Sequence, residues 1–415
     1  LSGSYDILSY DDAIKTDSDI TIGSEDELNL NIETEEGDGI KCEGSLKSED
    51  DASQVSLVSG NINIKSKYDG IQVENYASLN ISGGRLSIEA GGGYVDSTAK
   101  NGYNGDDSFK GIKSEDSLTI SGGTIDISSL DDGIHVKTLN DEEVEDDGVT
   151  YTITTTGKIN VTGGAITVFS SDDGLHSDDS VLISGGELSI GGSQEGIEGA
   201  LISIEGGENV VYAYDDGINA ANSDYTNYDF KIEISGGKTY VNASGDGVDS
   251  NGSFTMSDGL LLVAGPTSQN NGELDADGNF VVDGGTLIAY GSGGQMDHFT
   301  VTGKQMTVYI AGLSISSGSY FALFDSNDEL VVAFKAAKEA VSSFVSTPSL
   351  RDGEYTYAYL SDVKDTTVLY NSLYSSLDYD DSARDDIGTF SFSSSSKHVK
   401  IGNSSSGGGG RPGGR

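Results

Sequence analysis

Acidic pairs ahead of a glycine recur along this chain, and their spacing would bring oxygen atoms side by side. The phrase Asp-Asp-Gly stands at Asp131, Asp132 and Gly133, at Asp172, Asp173 and Gly174, and at Asp215, Asp216 and Gly217. Related turns carry Glu195 before Gly196 and Asp246 before Gly247, and two positions beyond each glycine lie His135, His176, Glu198, Asn219 and Asp249. If equivalent positions stack at the ~4.8 Å spacing of neighbouring strands, the carboxylates repel one another unless a cation sits among them. Calcium suits such a column, because it accepts six to eight oxygen ligands in flexible geometry. A lone Asp-Gly is an ordinary solvated turn; stacked copies with a further ligand at fixed offset point to a metal. The expected Ca2+ ligands are therefore Asp131, Asp132, Asp172, Asp173, Glu195, Glu198, Asp215, Asp216, Asn219, Asp246 and Asp249.

The turns belong to a longer phrase repeated between Leu118 and Ser250: an alternating apolar run, Gly-Gly, a second run, the acidic turn, then Ile, Leu or Val. The second glycine of the pair falls at Gly123, Gly164, Gly186, Gly207 and Gly237, and the turn glycine follows ten residues later each time. Without insertions the unit repeats every 21 or 22 residues, as from Gly174 to Gly196 to Gly217. A fixed period of that size marks a solenoid. Leu118 and Ile120, Ile125 and Ile127, and Ile134 and Val136 each bracket one polar residue, the period of strands with one face inward. Three such strands per repeat, separated by glycines at the bends, describe a coil. The expected fold class is all-β, a single-stranded parallel β-helix of about ten coils with a C-terminal β-rich cap. The expected boundaries are 1–298 for the helix, 299–403 for the cap with a less regular segment, and 404–415 for a flexible Gly-rich tail.

A formal net charge of -45 argues against nucleic acid and anionic membrane surfaces, which require a basic footprint. The longest apolar run, from Leu260, is too short to span a bilayer. A single cysteine, Cys42, rules out an internal disulfide and reads as a small inward-facing residue. No signal peptide is visible, and the start at Leu1 without Met fits the removal of one. No amphipathic helix precedes the first coil to cover its open end, which would allow self-association there.

Alternation turns His135 and His176 outward beside the acids, where a polar surface role suits them better than a core one. Two histidines with hard oxygen neighbours fall short of a zinc shell. Sugar-binding surfaces need planar platforms: Phe169, Tyr212 and Tyr240 occupy outward positions and Tyr214 adjoins Asp215, while the insertions add Tyr94, Tyr103, Tyr225 and Tyr228. The expected carbohydrate surface is Phe169, Tyr212, Tyr214, Tyr240, His135 and His176. The absence of Trp counts against a flat crystalline-cellulose binder. Glycoside hydrolysis would need two carboxylates across a cleft, and 68 acids single out no pair. A lyase would need calcium with a Lys or Arg base; Lys110, Lys113 and Lys137 lie near the acids, but none recurs.

The phrases "DDGIH", "EGIEGALISIEGG", "DDGINAA", "GDGVDSNGSFTMSDG", "GPTSQNNGELDADGNF" and "GGTLIAYGSGGQM", in that order over about residues 60 to 360, resemble the clostridial carbohydrate-binding β-helix family. That resemblance implies a right-handed helix with bound calcium, secreted or surface-attached, binding cellulose or acidic pectic polymers. Its architecture is similar to that of the calcium-dependent pectate lyases of polysaccharide lyase family nine, whose Asp-Asp-Gly-x-Asp cluster would map to Asp131, Asp132, Asp172, Asp173, Asp215, Asp216, Asp246 and Asp249. The motif's last Asp is replaced here by His135, His176 and Asn219, a departure that speaks against a lyase-type calcium site. The expected function is non-catalytic, calcium-dependent polysaccharide binding. A pectate lyase and a filament or surface-array subunit are the alternatives.

Overall fold

A computed structural model describes residues 3–23, 27–46, 52–96, 107–146, 148–222, 228–296 and 299–402. The expected tail at 404–415, Tyr103 and Tyr225 lie outside the described residues. Among these residues there is no α-helix, and the chain is all-β. It divides into two compact units, Leu1–Asp215 with Asn219–Phe230, and Asp216–Ile218 with Lys231–Arg415.

The first unit is built from three ladders of parallel strands. One runs through the residues before each Gly-Gly: Ile20 pairs with Val55, Val55 with Leu79, Leu79 with Leu118, Leu118 with Ile159, Ile159 with Val181 and Val181 with Ile202. A second follows the Gly-Gly, through Ile7, Ile32, Ile64, Ile88, Ile127, Val168, Ile190 and Val211. The third follows the acidic turn, through Ile14, Ile40, Ile71, Ile112, Ile134, Leu175 and Ile197. Nearly all of these apolar side chains are buried. Branched aliphatics suit such ladders because their stiff side chains pack well on a pleated surface, and burying each contributes ~1.5–3 kcal/mol. Cys42 is fully buried in the third ladder, in register with Val73. The insertion after Gly133 forms an antiparallel hairpin of its own, Glu142–Asp146 with Val149–Ile153.

The turn glycines are required by close approach of successive strands. A Cβ at Gly133 would lie 2.2 Å from Val168 Cγ1 and 2.7 Å from the Gly174 carbonyl oxygen, part of the next turn's backbone. Gly133→Ala is therefore expected to cost ~1–3 kcal/mol through overpacking, read as a lower urea midpoint at unchanged slope. A midpoint equal to that of the parent would show that the turns yield more readily than their packing implies.

The second unit starts in the same manner. Ile232 pairs with Phe254, Phe254 with Phe280 and Phe280 with Val301, all parallel, while Tyr240, Leu262 and Ile288 align in another ladder. The direction then changes: Thr286–Gly291 and Thr307–Ile315 both pair antiparallel with Ala340–Ser346. A separate six-stranded antiparallel sheet includes Tyr320–Phe324, Leu330–Lys335 and Gly353–Leu360. The segment after 361, read from sequence as less regular, supplies that sheet with Asp365–Tyr370, Leu373–Asp378 and Arg384–Phe392. Its strands are largely exposed, so little apolar alternation marks them in the sequence.

Candidate functional site

Carboxylates occupy most of the turns that precede the third ladder, and in seven of the described ones an Asp Oδ1 caps the next turn. In the first unit the backbone N–H of Asp38 donates to Asp12 Oδ1 at 2.9 Å, Asp69 N–H to Asp38 Oδ1 at 2.9 Å, and Lys110 N–H to Asp69 Oδ1 at 2.7 Å. Further along, Asp173 N–H donates to Asp132 Oδ1 at 3.1 Å and Glu195 N–H to Asp173 Oδ1 at 3.1 Å. The second unit repeats the device, with Asp246 N–H donating to Asp216 Oδ1 at 2.5 Å and Gly272 N–H to Asp246 Oδ1. These bonds satisfy turn N–H groups that would otherwise be left unpaired. One oxygen of each of these acids is thereby committed to the fold.

Protein cations already reach several of those second oxygens. Lys110 Nζ lies 2.7 Å from Asp131 Oδ2 and 3.0 Å from Asp132 Oδ2, with all three side chains mostly buried. Burial opposes the charge on Lys110, but the attraction of Asp132 and Asp131 outweighs it and holds the ammonium protonated. The imidazoles of His135 and His176 stack with ring centres 4.3 Å apart and planes 9° from parallel. His135 Nδ1 is 2.9 Å from Asp132 Oδ2, and His176 Nδ1 is 3.4 Å from Asp173 Oδ2. Burial disfavours the His135 cation, yet hydrogen bonds to Asp132 and Asp178 push its pKa up to about 9. Asp132 is held below the usual carboxylate range because Lys110 and His135 together overcome its burial.

Other acids lack such compensation. Burial, then repulsion from Glu195 and Asp173, raises the Glu198 pKa to about 9 despite His176. Burial, then repulsion from Asp216, raises Asp246 to about 8 despite the Gly272 N–H, with Asp249 and Asp275 adding to it. Among the described residues, four groups bring ligand atoms within 4.8 Å of one another: Asp131, Asp132 and Asp172; Asp132, His135 and His176; Asp173, His176 and Glu198; and Asp216, Asp246 and Asp249. The last offers only hard oxygen, the chemistry calcium favours. The Asp131 and Asp132 pair is already bridged, and in part compensated, by Lys110.

An aromatic surface lies on the same unit as the histidines. Phe169, Tyr212 and Tyr214 are 40%, 42% and 39% exposed. The Phe169 ring lies against the backbone of Gly191, where a Cβ would come within 2.3 Å of it. Tyr94 packs 5.7 Å from Phe169, and its hydroxyl meets that of Tyr214 at 2.5 Å. Rings with one open face and a hydroxyl at the edge suit sugar stacking, being apolar on the face and polar at the rim.

A family model described as carbohydrate-binding domain-containing protein matches the chain twice, over residues 1–141 and 138–318. The chain belongs to this carbohydrate-binding domain family. No curated protein and no solved structure matches it.

Within this carbohydrate-binding domain protein, the residues expected from sequence fall into distinct settings. Asp131, Asp132 and Asp172 converge, as do Asp173 and Glu198 with His176, and Asp216 with Asp246 and Asp249. Asn219 Nδ2 donates to Glu195 Oε2 at 2.8 Å, whereas Asp215 accepts from Gln194 Nε2 at 3.2 Å. His135 and His176 stand half-buried among the acids and not on an open surface. Tyr240 is corrected: it is only 2% exposed and offers no platform, because Thr239, Tyr240 and Val241 are buried in succession and both faces of that strand are covered. Tyr228 donates to Asp179 Oδ1 at 2.5 Å. Sequence reasoning missed Asp178, whose Oδ1 faces both imidazoles, at 3.4 Å from His135 Nε2 and 3.7 Å from His176 Nε2. It also missed Lys110 as the internal counter-ion. The available signal was its position directly before Gly111, where neighbouring turns carry Asp69 and Asp132.

Proposed function

We propose that the protein is a non-catalytic extracellular binder of uronate-rich or cellulosic polysaccharide, with Ca2+ held on its acidic turns bridging it to anionic chains. Membership of a carbohydrate-binding family carries this reading. The three in-register ladders support winding as a parallel β-helix, for which the family resemblance implies a right hand, with the antiparallel strands beyond 299 as its cap. The all-oxygen group Asp216, Asp246 and Asp249 supports calcium, and the Phe169, Tyr212 and Tyr214 surface supports glycan stacking. With a net charge of -45, attraction to a polyuronate requires a bridging cation. Lys110 is held cationic by two acids and is thereby unsuited to act as the base of a lyase reaction.

Polygalacturonate binding is expected to weaken at least about tenfold when calcium is replaced by EDTA, and Tyr212→Ala to weaken it further by about tenfold in calcium, the scale of one stacking ring. Co-sedimentation with the polymer measures both. Binding unchanged in EDTA would remove the calcium bridge. Release of unsaturated uronides absorbing in the ultraviolet would make the protein a lyase.

A further inference from the structure

We infer that Asp173, His176 and Glu198 form a site for a divalent first-row transition ion, distinct from the all-oxygen group assigned to calcium. His176 Nδ1 lies 3.4 Å from Asp173 Oδ2 and 3.6 Å from Glu198 Oε2. An ion with bonds of ~2.0–2.1 Å in tetrahedral geometry separates its ligands by ~3.4 Å; both separations from His176 Nδ1 match that figure, and all three ligand atoms lie within 4.8 Å of one another. One imidazole and two carboxylates form a mixed nitrogen and oxygen set, which favours zinc-like ions over calcium.

A second, independent observation points to the same place. Asn219 is 7% exposed, and its Nδ2 is spent on Glu195 Oε2 at 2.8 Å. Its Oδ1 is buried without a hydrogen-bond partner. Glu195 in turn donates its backbone N–H to Asp173 Oδ1. Asn219 is thus linked through Glu195 to Asp173, and a bound ion or its water would give its amide oxygen a partner. The outer surroundings fit as well. Asp178 Oδ1 lies 3.7 Å from His176 Nε2, and its Oδ2 accepts from Thr138 N–H at 2.9 Å. A carboxylate behind the far nitrogen is the usual support of a metal-bound imidazole. This inference does not rest on glycan binding.

The test is calorimetric titration of Zn2+ into the full chain, stripped of metal and held in millimolar Ca2+. One Zn2+ equivalent is expected, weakened at least about tenfold in His176→Gln and retained in Asp249→Asn. Co2+ in place of Zn2+ is expected to give a visible ligand-field band that His176→Gln abolishes. Circular dichroism in chelator establishes that the variant folds; if it does not, Glu198→Gln serves the same comparison. Equal Zn2+ affinity in parent and variant, or displacement of Zn2+ by Ca2+, would overturn the site.

Discussion

Replacing Lys110 with methionine is expected to destabilise the calcium-free protein by ~3–5 kcal/mol, the cost of stranding buried charge when one partner of an ion pair is removed. Lys110 occupies the position that Asp12, Asp38 and Asp69 hold in preceding turns, since its own N–H continues the ladder onto Asp69 Oδ1. Its side chain reaches the following turn, where Asp131 and Asp132 are both buried. Methionine preserves the length and apolar stem and removes only the ammonium. Asp131, Asp132 and Asp172 would then keep His135 as a counter-charge but lose the ammonium, so added calcium is expected to recover stability in the variant more than in the parent. Urea unfolding with and without calcium measures both effects. A loss below ~1 kcal/mol, with no added response to calcium, would mean that these acids are solvated more than their burial indicates.

In chelator, stability is expected to rise as the pH falls from about 9 towards about 6, the reverse of the usual acid response of a carboxylate. The folded-state pKa is raised to about 9 for Glu198, about 8 for Asp246 and about 7 for Asp38, in each case by burial first and then by neighbouring acids. Unfolded carboxylates titrate near ~4. Between those limits the folded state binds more protons than the unfolded state. Its stability is then lost as the pH climbs through each folded pKa, at up to ~1.4 kcal/mol per pH unit per group. His135, raised to about 9, acts in the same direction. Calcium replaces the proton on the Asp216, Asp246 and Asp249 group and is expected to flatten the slope. Unfolding midpoints across this range, with calcium and with EDTA, read the difference. A metal-free protein that loses stability on acidification through this window would contradict the crowding of these acids.

The ladders were legible because their residues repeat in kind as well as spacing: Ile112, Ile134, Leu175 and Ile197 each follow a turn glycine, and the structure pairs them in that register. The acid column was legible for the same reason. The double duty of each acid was hidden, because which oxygen caps the next turn depends on the bend of the backbone. Lys110 was read only as one of several lysines near the acids, and its counter-ion role was hidden because its turn reads Phe-Lys-Gly and breaks the phrase, although its backbone stays in line. Alternation placed Tyr240 outward, but the strand Lys238–Ala243 is covered on both faces, which a period of two cannot reveal. Alternation likewise gave His135 and His176 their shared column but not the screen of carboxylates around them. The antiparallel strands beyond 361 put mostly Ser, Thr and Asp on open faces and so leave little hydrophobic signal.

The most direct measurement is a crystal structure of the calcium-loaded protein, read for density among Asp216, Asp246 and Asp249. The expected result is one ion with six to eight oxygen ligands at ~2.3–2.6 Å, drawn from those three carboxylates, turn carbonyls and water. Carboxylates turned apart with only water between them, in crystals grown at saturating calcium, would contradict a cation-bridged mode of glycan binding.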